Sequence, residues 1–314
     1  MKKKAAIPIH PKPGIIFLVG PTAIGKSRAA VHLARELGAE IVSMDSMQVY
    51  KGMDIISAKP TASMKKEAKH HLLGMIAPSR SFNASDYRRA AVRCLKGIIK
   101  RKKIPLFVGG CGLYMSAVLD GIFTEKTKDR AIRNRLEQEA VRLGKEALYQ
   151  RLKEADPAAA LKIHPNDLRR VIRALEVYEK CGIPISQLQK ERKGIAADHE
   201  VRVFGLNMDR ACLYGRINKR VEAMFRDGLV KEATRLLRSR LSRTASAAIG
   251  IREIKEYLKG SSGLEEAKAL IMRNSRLYAK RQMTWFRKDK RVEWLMIKDK
   301  ETAQHISARI RKVL

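Results

Sequence analysis

The clearest pattern near the start of the chain is a short apolar run that stops at a glycine-rich stretch. Residues 15–19, IIFLV, are apolar and rich in β-branched side chains, which predicts a buried strand. The stretch GPTAIGKS follows at residues 20–27, and in SRAAVHLARELG the apolar residues then recur at helical spacing as far as Gly38. The predicted order is therefore strand, glycine-rich loop and helix.

Apolar runs of similar length return along the chain and alternate with helical patterns. Between two of them lies DYRRAAVRCLKGIIK, a helical pattern for which Ser85 is predicted to be the N-cap. Strands alternating with helices predict a parallel sheet covered on both faces, with ligands at the carboxyl ends of the strands. Asp45, Gly109 and Gly110 follow or end such strands and are therefore expected near the glycine-rich loop. The further predicted strands are EIVSM (40–44), IPLFVGG (104–110), VRVFGLN (201–207) and EWLMI (293–297).

A long segment from about Asp129 differs from the rest because it is helical in pattern, rich in charge and free of convincing strands. We predict an α/β fold, with a P-loop NTPase-like parallel sheet flanked by helices and an inserted helical domain. The predicted catalytic core comprises residues 1–124 and 198–314, and the insertion comprises residues 125–197. The longest helix of the core is expected from about Leu264 to Arg287.

The charge of the chain indicates the kind of partner that it binds. Of its 314 residues, 66 are Lys or Arg and 32 are Asp or Glu, giving a formal net charge of +34. Lys and Arg side chains that neutralise phosphates release counterions, so a polyanion, above all nucleic acid, is the expected partner. The alternative is a generally basic composition without such a role.

Other features of the composition favour a protein of the reducing cytoplasm. Four widely spaced cysteines form no pattern typical of zinc or disulfides, and the chain contains no signal-peptide or membrane-spanning run. His70 and His71 are adjacent and point different ways on any regular element, so a structural role is expected rather than a metal site.

The glycine-rich stretch has the spacing of a phosphate-binding loop. Its backbone amides and the following helix N-terminus can bind phosphate oxygens, Lys26 adds a positive charge, and Ser27 can hold Mg²⁺. The motif indicates a diphosphate or a triphosphate but does not identify a nucleoside. The predicted binding residues are Gly20, Pro21, Thr22, Ala23, Ile24, Gly25, Lys26 and Ser27.

Asp45, at the end of a predicted strand, is the one candidate for an acidic group beside this loop. It could hold metal-bound water, act as a general base, or cap the next turn, and its position alone favours the cap.

Two helical patterns carry the candidate contacts to a polyanion. In one, Arg169, Arg173 and Lys180 form a stripe beside an apolar face. In the other, IMRNSRLYAKRQMTWFRK, basic residues alternate with Tyr278 and with the aromatic pair at 285–286. Arginines and aromatic rings together suit RNA, whose bases stack on rings, although the rings could instead belong to the core.

Taken together, these stretches resemble the tRNA dimethylallyltransferase family, also called tRNA isopentenyltransferases. The resemblance implies transfer of a dimethylallyl group from dimethylallyl diphosphate to the exocyclic N6 amine of the adenosine 3′-adjacent to the anticodon. The loop would then hold the diphosphate of a prenyl donor, with Mg²⁺ at Ser27. The matching stretches are GPTAIGKS, DSMQVYKGMDI with AKPT, HHLL, SFNASDYRR, VGGCGLY, RRVIRALEVYEKCGIPIS, LYGRINKRVEAMFRDGLVKEA, AIGIREIKEYLKG and YAKRQMTWFRK.

The resemblance also implies roles for individual residues. Asp45 would contact the target amine and act as general base, with Ser46, Met47 and Gln48 lining the pocket for the base. Cys111 would lie at the reacting centre. Contacts to the tRNA anticodon stem-loop are implied for Arg133, Arg169, Arg170, Arg173, Arg252, Lys280 and Arg281. A cytoplasmic monomer is expected.

The chain departs from the family pattern at several positions. Cys111 stands where relatives usually have Thr, and because a thiol is a weaker donor than a hydroxyl, a slower reaction is expected. The other departures are Ile56 and Ser57 for Gly-Thr, Gly74 for Asp, and Ala247 and Ile251 for Gln and Tyr.

Two other functions fit the residues. A P-loop kinase or ATPase acting on RNA would turn over ATP, whereas the prenyltransferase would not. In a nucleic-acid-binding protein whose loop only senses a phosphate ligand, the substitution Asp45→Ala would abolish no chemical reaction.

Overall fold

The computed structural model describes residues 14–123 and 127–314, so the basic start of the chain, MKKK, lies outside the described residues. The strands are β1 (Ile15–Val19), β2 (Ala39–Met44), β3 (His70–His71), β4 (Ile104–Gly109), β5 (Val201–Asn207) and β6 (Val292–Met296). The first nine helices are α1 (Lys26–Leu37), α2 (Ala62–Glu67), α3 (Ala84–Lys100), α4 (Gly112–Leu119), α5 (Arg130–Leu143), α6 (Lys145–Ala155), α7 (Pro157–Ala160), α8 (Leu168–Cys181) and α9 (Ile185–Leu188). The remaining helices are α10 (Arg210–Arg226), α11 (Leu229–Leu237), α12 (Ile251–Leu258), α13 (Leu264–Phe286) and α14 (Ala303–Val313).

The six strands form one sheet in the order β3-β2-β4-β1-β5-β6, and every pairing is parallel. This confirms the α/β class and the five predicted strands, although the ends of β2, β4 and β6 differ slightly from those expected. In the central pair, Phe17 of β1 faces Phe107 of β4 in register, and their rings stack with centroids 4.6 Å apart. The buried central strands β4 and β1 lie side by side, so the loops that follow them open at the same edge of the sheet.

Two details of the sequence prediction were wrong. The N-cap of α3 is Asn83 and not Ser85, because the Asn83 carboxamide oxygen accepts hydrogen bonds from the Ser85 and Asp86 amides and the Asp86 carboxylate accepts one from the Asn83 amide. The short edge strand β3 was not predicted. It is formed by His70 and His71, and the His71 ring lies 2.6 Å from the carboxylate of Glu40 on β2.

The chain divides into two compact units, one of Met1–Val118 with Asp198–Leu314 and one of Leu119–Ala197. The first contains the whole sheet, and α1, α10, α13 and α14 contribute buried residues to the apolar cluster on one of its faces. The second is helical and has its own apolar core, built around Leu136, Leu148 and Leu175. Each unit therefore buries enough apolar surface to have an interior of its own. None of the helices in the described residues is long and apolar enough to cross a lipid bilayer.

Candidate active site

The phosphate-binding loop connects the end of β1 to the start of α1, as the sequence predicts. Gly25 is the N-cap of α1 and has φ 101°, a backbone conformation that glycine adopts without the strain of a Cβ atom. Gly20 has φ 144°, and a Cβ atom there would lie 2.8 Å from the Leu206 carbonyl oxygen of the neighbouring strand. The loop is therefore folded tightly at the N-terminus of a helix, where backbone amides favour an anion.

Lys26 is the first residue of α1, and its side chain turns back over the loop. Its ammonium group donates hydrogen bonds to the carbonyl oxygens of Gly20 at 2.9 Å and Pro21 at 2.7 Å. Burial and, after it, the charge of Arg220 together lower the pKa of Lys26 to about 7, although Asp45 opposes the shift. A bound anion would favour the charged form of this lysine.

Arg220 of α10 is a second cation beside the loop, and sequence reasoning did not assign it. Its Nη1 donates a 2.9 Å hydrogen bond to the Thr22 hydroxyl, and its pKa is lowered by burial, with Asp45 raising it. The motif LYGRINKRV contains Arg220 but offers several basic residues, so only the fold identifies the one that reaches the loop.

Gln282 of α13, also unassigned by the sequence, fixes the loop from the other side. Its carboxamide oxygen accepts a 2.9 Å hydrogen bond from the Thr22 amide, and its nitrogen donates one of 2.9 Å to the Gly110 carbonyl. Gly110 follows β4, so one side chain connects the loops after two neighbouring strands.

Asp45 lies where β2 ends, beside this loop, and one of its carboxylate oxygens caps the next turn. That oxygen, Oδ1, accepts hydrogen bonds from the amides of Met47 at 2.8 Å and Gln48 at 3.3 Å. The cap that position alone favours is therefore present. The same residue also lines both cavities described below, so the cap and a chemical role are compatible.

The three residues after Asp45 have different surroundings. Ser46 and Met47 line the apolar cavity described below, and Gln48 lines the polar one. The Gln48 carboxamide is engaged within the protein, since it accepts from the Ser43 hydroxyl at 2.8 Å and donates to the carbonyls of Ser57 and Ala58. Gln48 therefore supports the segment at residues 57–58.

A polar cavity of about 240 Å³ lies over the phosphate loop. Its polar wall combines Lys26 and Ser27 with Asp45 and Arg220, and the loop backbone completes it. This cavity can hold a diphosphate, because Lys26, Arg220 and the residues of the phosphate loop line it.

An apolar cavity of about 220 Å³ adjoins the polar one. Six residues line both: Thr22, Ala23, Asp45, Ser57, Arg220 and Tyr278. Most of the remaining wall of the apolar cavity is aliphatic: Ile56, Ile217, Val221, Met224, Ala247, Ala248, Ile249 and Ile271. A ligand with an anionic head and a short hydrocarbon tail would fit across the junction.

Cys111 lies between β4 and α4, outside the wall of either cavity. Its amide donates to the Met44 carbonyl at 3.3 Å, and burial raises the pKa of its thiol to about 12. The thiol is therefore neutral near pH 7, and any part it plays is that of a weak hydrogen-bond donor.

The basic residues implied for tRNA differ in exposure. In the sheet-containing unit, Arg252, Lys280 and Arg281 are exposed, and Arg281 also lines the apolar cavity with its guanidinium 5.8 Å from the Tyr278 ring centroid. Of the nearby aromatic residues, Phe286 is buried in the core and Trp285 is 38% exposed.

In the helical unit, two of the implied arginines form ion pairs with a buried carboxylate. Glu176 is buried and accepts hydrogen bonds from Arg133 and from Arg173, the latter at 2.8 Å. Although burial raises the pKa of Glu176, these bonds and one from the Asp129 amide bring it below its usual value. Arg169 is exposed and has no partner among the described residues, whereas Arg170 pairs with Asp167 at 3.2 Å.

The residues around the loop suit a metal ion carried by a phosphorylated ligand. Within residues 14–123 and 127–314, no group of three or more His, Cys, Asp or Glu residues could hold a metal by itself. Ser27 and Asp45 line the polar cavity with the loop amides, so an ion there would be held largely by phosphate oxygens, with the Ser27 hydroxyl added.

Comparisons with known proteins agree with this geometry. Residues 48–289 match the model of the family described as IPP transferase. The chain is 46% identical over 290 residues to tRNA dimethylallyltransferase 1 of Pelobacter propionicus, covering 92% of this chain and 94% of the relative. It is 45% identical over 298 residues to the tRNA dimethylallyltransferase of Carboxydothermus hydrogenoformans, covering 94% and 96%.

Solved structures give the same result. A tRNA isopentenylpyrophosphate transferase from Bacillus halodurans aligns with a TM-score of 0.71 and 39% identity, covering 96% of each chain. A eukaryotic dimethylallyltransferase, described in crystallographic snapshots of the enzyme acting on tRNA, aligns with a TM-score of 0.81 and 26% identity. The alignment covers 96% of this chain and 78% of the eukaryotic chain. With a matching family model, extensive identity and a shared fold, this chain belongs to the IPP transferase family.

Proposed function

We propose that this protein transfers a dimethylallyl group from dimethylallyl diphosphate to the exocyclic N6 amine of the adenosine 3′-adjacent to the anticodon in tRNA. The observation that supports this most directly is the junction of an anion-binding cavity with an aliphatic one at Asp45, Arg220 and Tyr278. The diphosphate would lie over the phosphate loop and the five-carbon group beyond the junction. The names of the relatives agree with this assignment.

The phosphate loop would promote departure of diphosphate. As the bond between the allylic carbon and oxygen breaks, its electron pair goes to the diphosphate oxygen, and the loop amides, Lys26 and Arg220 stabilise the growing charge. Mg²⁺ bound to the diphosphate and the Ser27 hydroxyl would neutralise further charge.

Asp45 would act on the other reactant. The N6 nitrogen forms its bond to the allylic carbon, becomes acidic as it does so, and gives its proton to the Asp45 carboxylate. Oδ1 already accepts two backbone hydrogen bonds, so the residue is held in place at the junction while it takes the proton. Ser46 and Met47 would contact the base from the same turn.

The basic surface would hold the RNA. Arg252, Lys280 and Arg281 are exposed on the sheet-containing unit, and Arg169 is exposed on the helical unit. We propose that these side chains bind phosphates of the anticodon stem-loop. Arg133 and Arg173, paired with Glu176, would shape the surface with which the helical unit contacts the stem-loop.

Label transfer from radiolabelled dimethylallyl diphosphate to unmodified tRNA in the presence of Mg²⁺ tests the proposal. Wild-type protein should label tRNA, whereas Asp45→Ala and Lys26→Ala should lose nearly all transfer and still bind tRNA. The matched control is Asp227→Ala, an exposed aspartate whose side chain has no partner among the described residues. Release of phosphate from ATP with no label on tRNA would refute the proposal in favour of an RNA-dependent ATPase.

A further inference from the structure

Gln282 uses both ends of its carboxamide between two loops of the site. Its side chain is buried, with the residue 5% exposed. The oxygen accepts from the Thr22 amide and the nitrogen donates to the Gly110 carbonyl, each at 2.9 Å. Glutamine meets both demands because its acceptor and donor stand at the same distance from the backbone.

The contact leaves little freedom at either loop. A Cβ atom at Gly110 would overlap the Gln282 carboxamide nitrogen, and it would also lie 3.3 Å from the Gly20 carbonyl oxygen. The two loops and Gln282 are therefore packed directly against one another, so the position of the α13 backbone at Gln282 constrains that of the phosphate loop.

Thr22 is held from two directions by this arrangement. Gln282 fixes its amide, while Arg220 donates to its hydroxyl at 2.9 Å. Thr22 is one of the six residues that line both cavities, so its position affects the junction between the anion-binding part of the site and the aliphatic part.

We propose that Gln282 is a positioning residue for the prenyl donor, acting through Thr22 on the phosphate loop. It sets the loop so that its amides and Lys26 face the diphosphate, and it ties the loop to α13, the helix that also carries Lys280 and Arg281. This inference rests on the proposed function for the identity of the donor. Loss of the Gln282 carboxamide should therefore weaken donor binding and leave tRNA binding unchanged.

The first test compares Gln282→Met, which removes both hydrogen bonds at similar volume, with wild type. We expect the KM for dimethylallyl diphosphate to rise about tenfold, because a buried amide and a buried carbonyl lose their partner, while the affinity for tRNA stays unchanged. The control is Met283→Ala, which removes buried packing from the next residue of α13. An equal rise in KM in Met283→Ala, at equal loss of thermal stability, would overturn the proposal.

Gln282→Glu gives a readout that a general loss of stability would not give. When the introduced carboxyl group is ionised, it accepts from the Thr22 amide but repels the Gly110 carbonyl, whereas its protonated form donates to that carbonyl again. The donor affinity of Gln282→Glu relative to wild type should therefore recover as the pH falls from about 8 to about 5.5. If the ratio of the donor affinity of Gln282→Glu to that of wild type did not change with pH, the proposal would be overturned.

Binding of inorganic diphosphate, measured by calorimetry on the full chain, separates the two proposals. Weaker diphosphate binding in Gln282→Met supports the role of Gln282 even if wild-type protein fails to label tRNA, a failure that would refute the proposed function alone. Unchanged diphosphate and donor binding in a folded Gln282→Met protein would refute the role of Gln282 alone.

Discussion

The low pKa of Lys26 makes donor binding dependent on pH in a range where an ordinary lysine has no effect. Burial and the neighbouring Arg220 lower this pKa from 10.5 to about 7, so a large fraction of the free protein carries a neutral Lys26 above pH 7. A bound diphosphate places negative charge beside the ammonium group and raises its pKa. Donor binding above pH 7 therefore takes up a proton.

The sign and size of the effect follow from this proton uptake. Well below pH 7 Lys26 is already charged, and it contributes no pH dependence to donor affinity. Above pH 7 the affinity falls by up to about tenfold for each pH unit, or about 1.4 kcal/mol, until the pKa of the complex is reached.

Calorimetric titration of dimethylallyl diphosphate between about pH 6.5 and 9 measures both the affinity and the protons taken up. The control is Lys26→Arg, whose guanidinium stays charged throughout this range, so that protonation of the diphosphate itself affects both proteins alike. Wild-type protein should lose affinity relative to Lys26→Arg as the pH rises. If donor affinity depended on pH equally in the two proteins, with equal proton uptake, the reasoning would be refuted.

Three further substitutions test separate parts of the site and fold. Asp45→Asn keeps the oxygen that caps the turn but removes the general base. The rate of single-turnover transfer should therefore fall by about 10²–10⁴-fold, while tRNA affinity is unchanged. A rate equal to that of wild type would exclude Asp45 as the base. Cys111→Thr should speed transfer by supplying a hydroxyl, and no gain over wild type in the same assay would show that no donor is used there. Gly109→Ala would place a Cβ atom against the Met44 carbonyl and should lower the free energy of unfolding, measured in urea, by about 1–3 kcal/mol. The control is Gly215→Ala, whose new Cβ atom would have no neighbour within 4 Å and should not lower that free energy.

Much of the sheet could be predicted from the sequence because its central strands are buried on both faces and appear as continuous apolar runs. The edge strand β3 escaped prediction because it has only two residues, and these are polar in character. The N-cap of α3 was misplaced because SFNASD contains several residues that cap helices, and the choice depends on Asp86 reaching back to Asn83.

The site divides in the same way between local and distant residues. The phosphate loop could be predicted because its residues are contiguous and their spacing is required by the backbone that binds phosphate. Arg220 and Gln282 could not, because they reach Thr22 from positions 198 and 260 residues away in the chain, and nothing in the stretches that contain them indicates that contact. Asp45 was identified from its position, but only the hydrogen bonds show that its Oδ1 atom is the one that caps the turn.

The ion pairs around Glu176 have a consequence for how RNA binding should respond to salt. Arg133 and Arg173 already have a carboxylate partner, so bringing a phosphate near them releases fewer counterions than it does at an unpaired arginine such as Arg169. The slope of affinity against salt concentration therefore reports the unpaired cations that meet phosphate, and it should be far smaller than a net charge of +34 suggests.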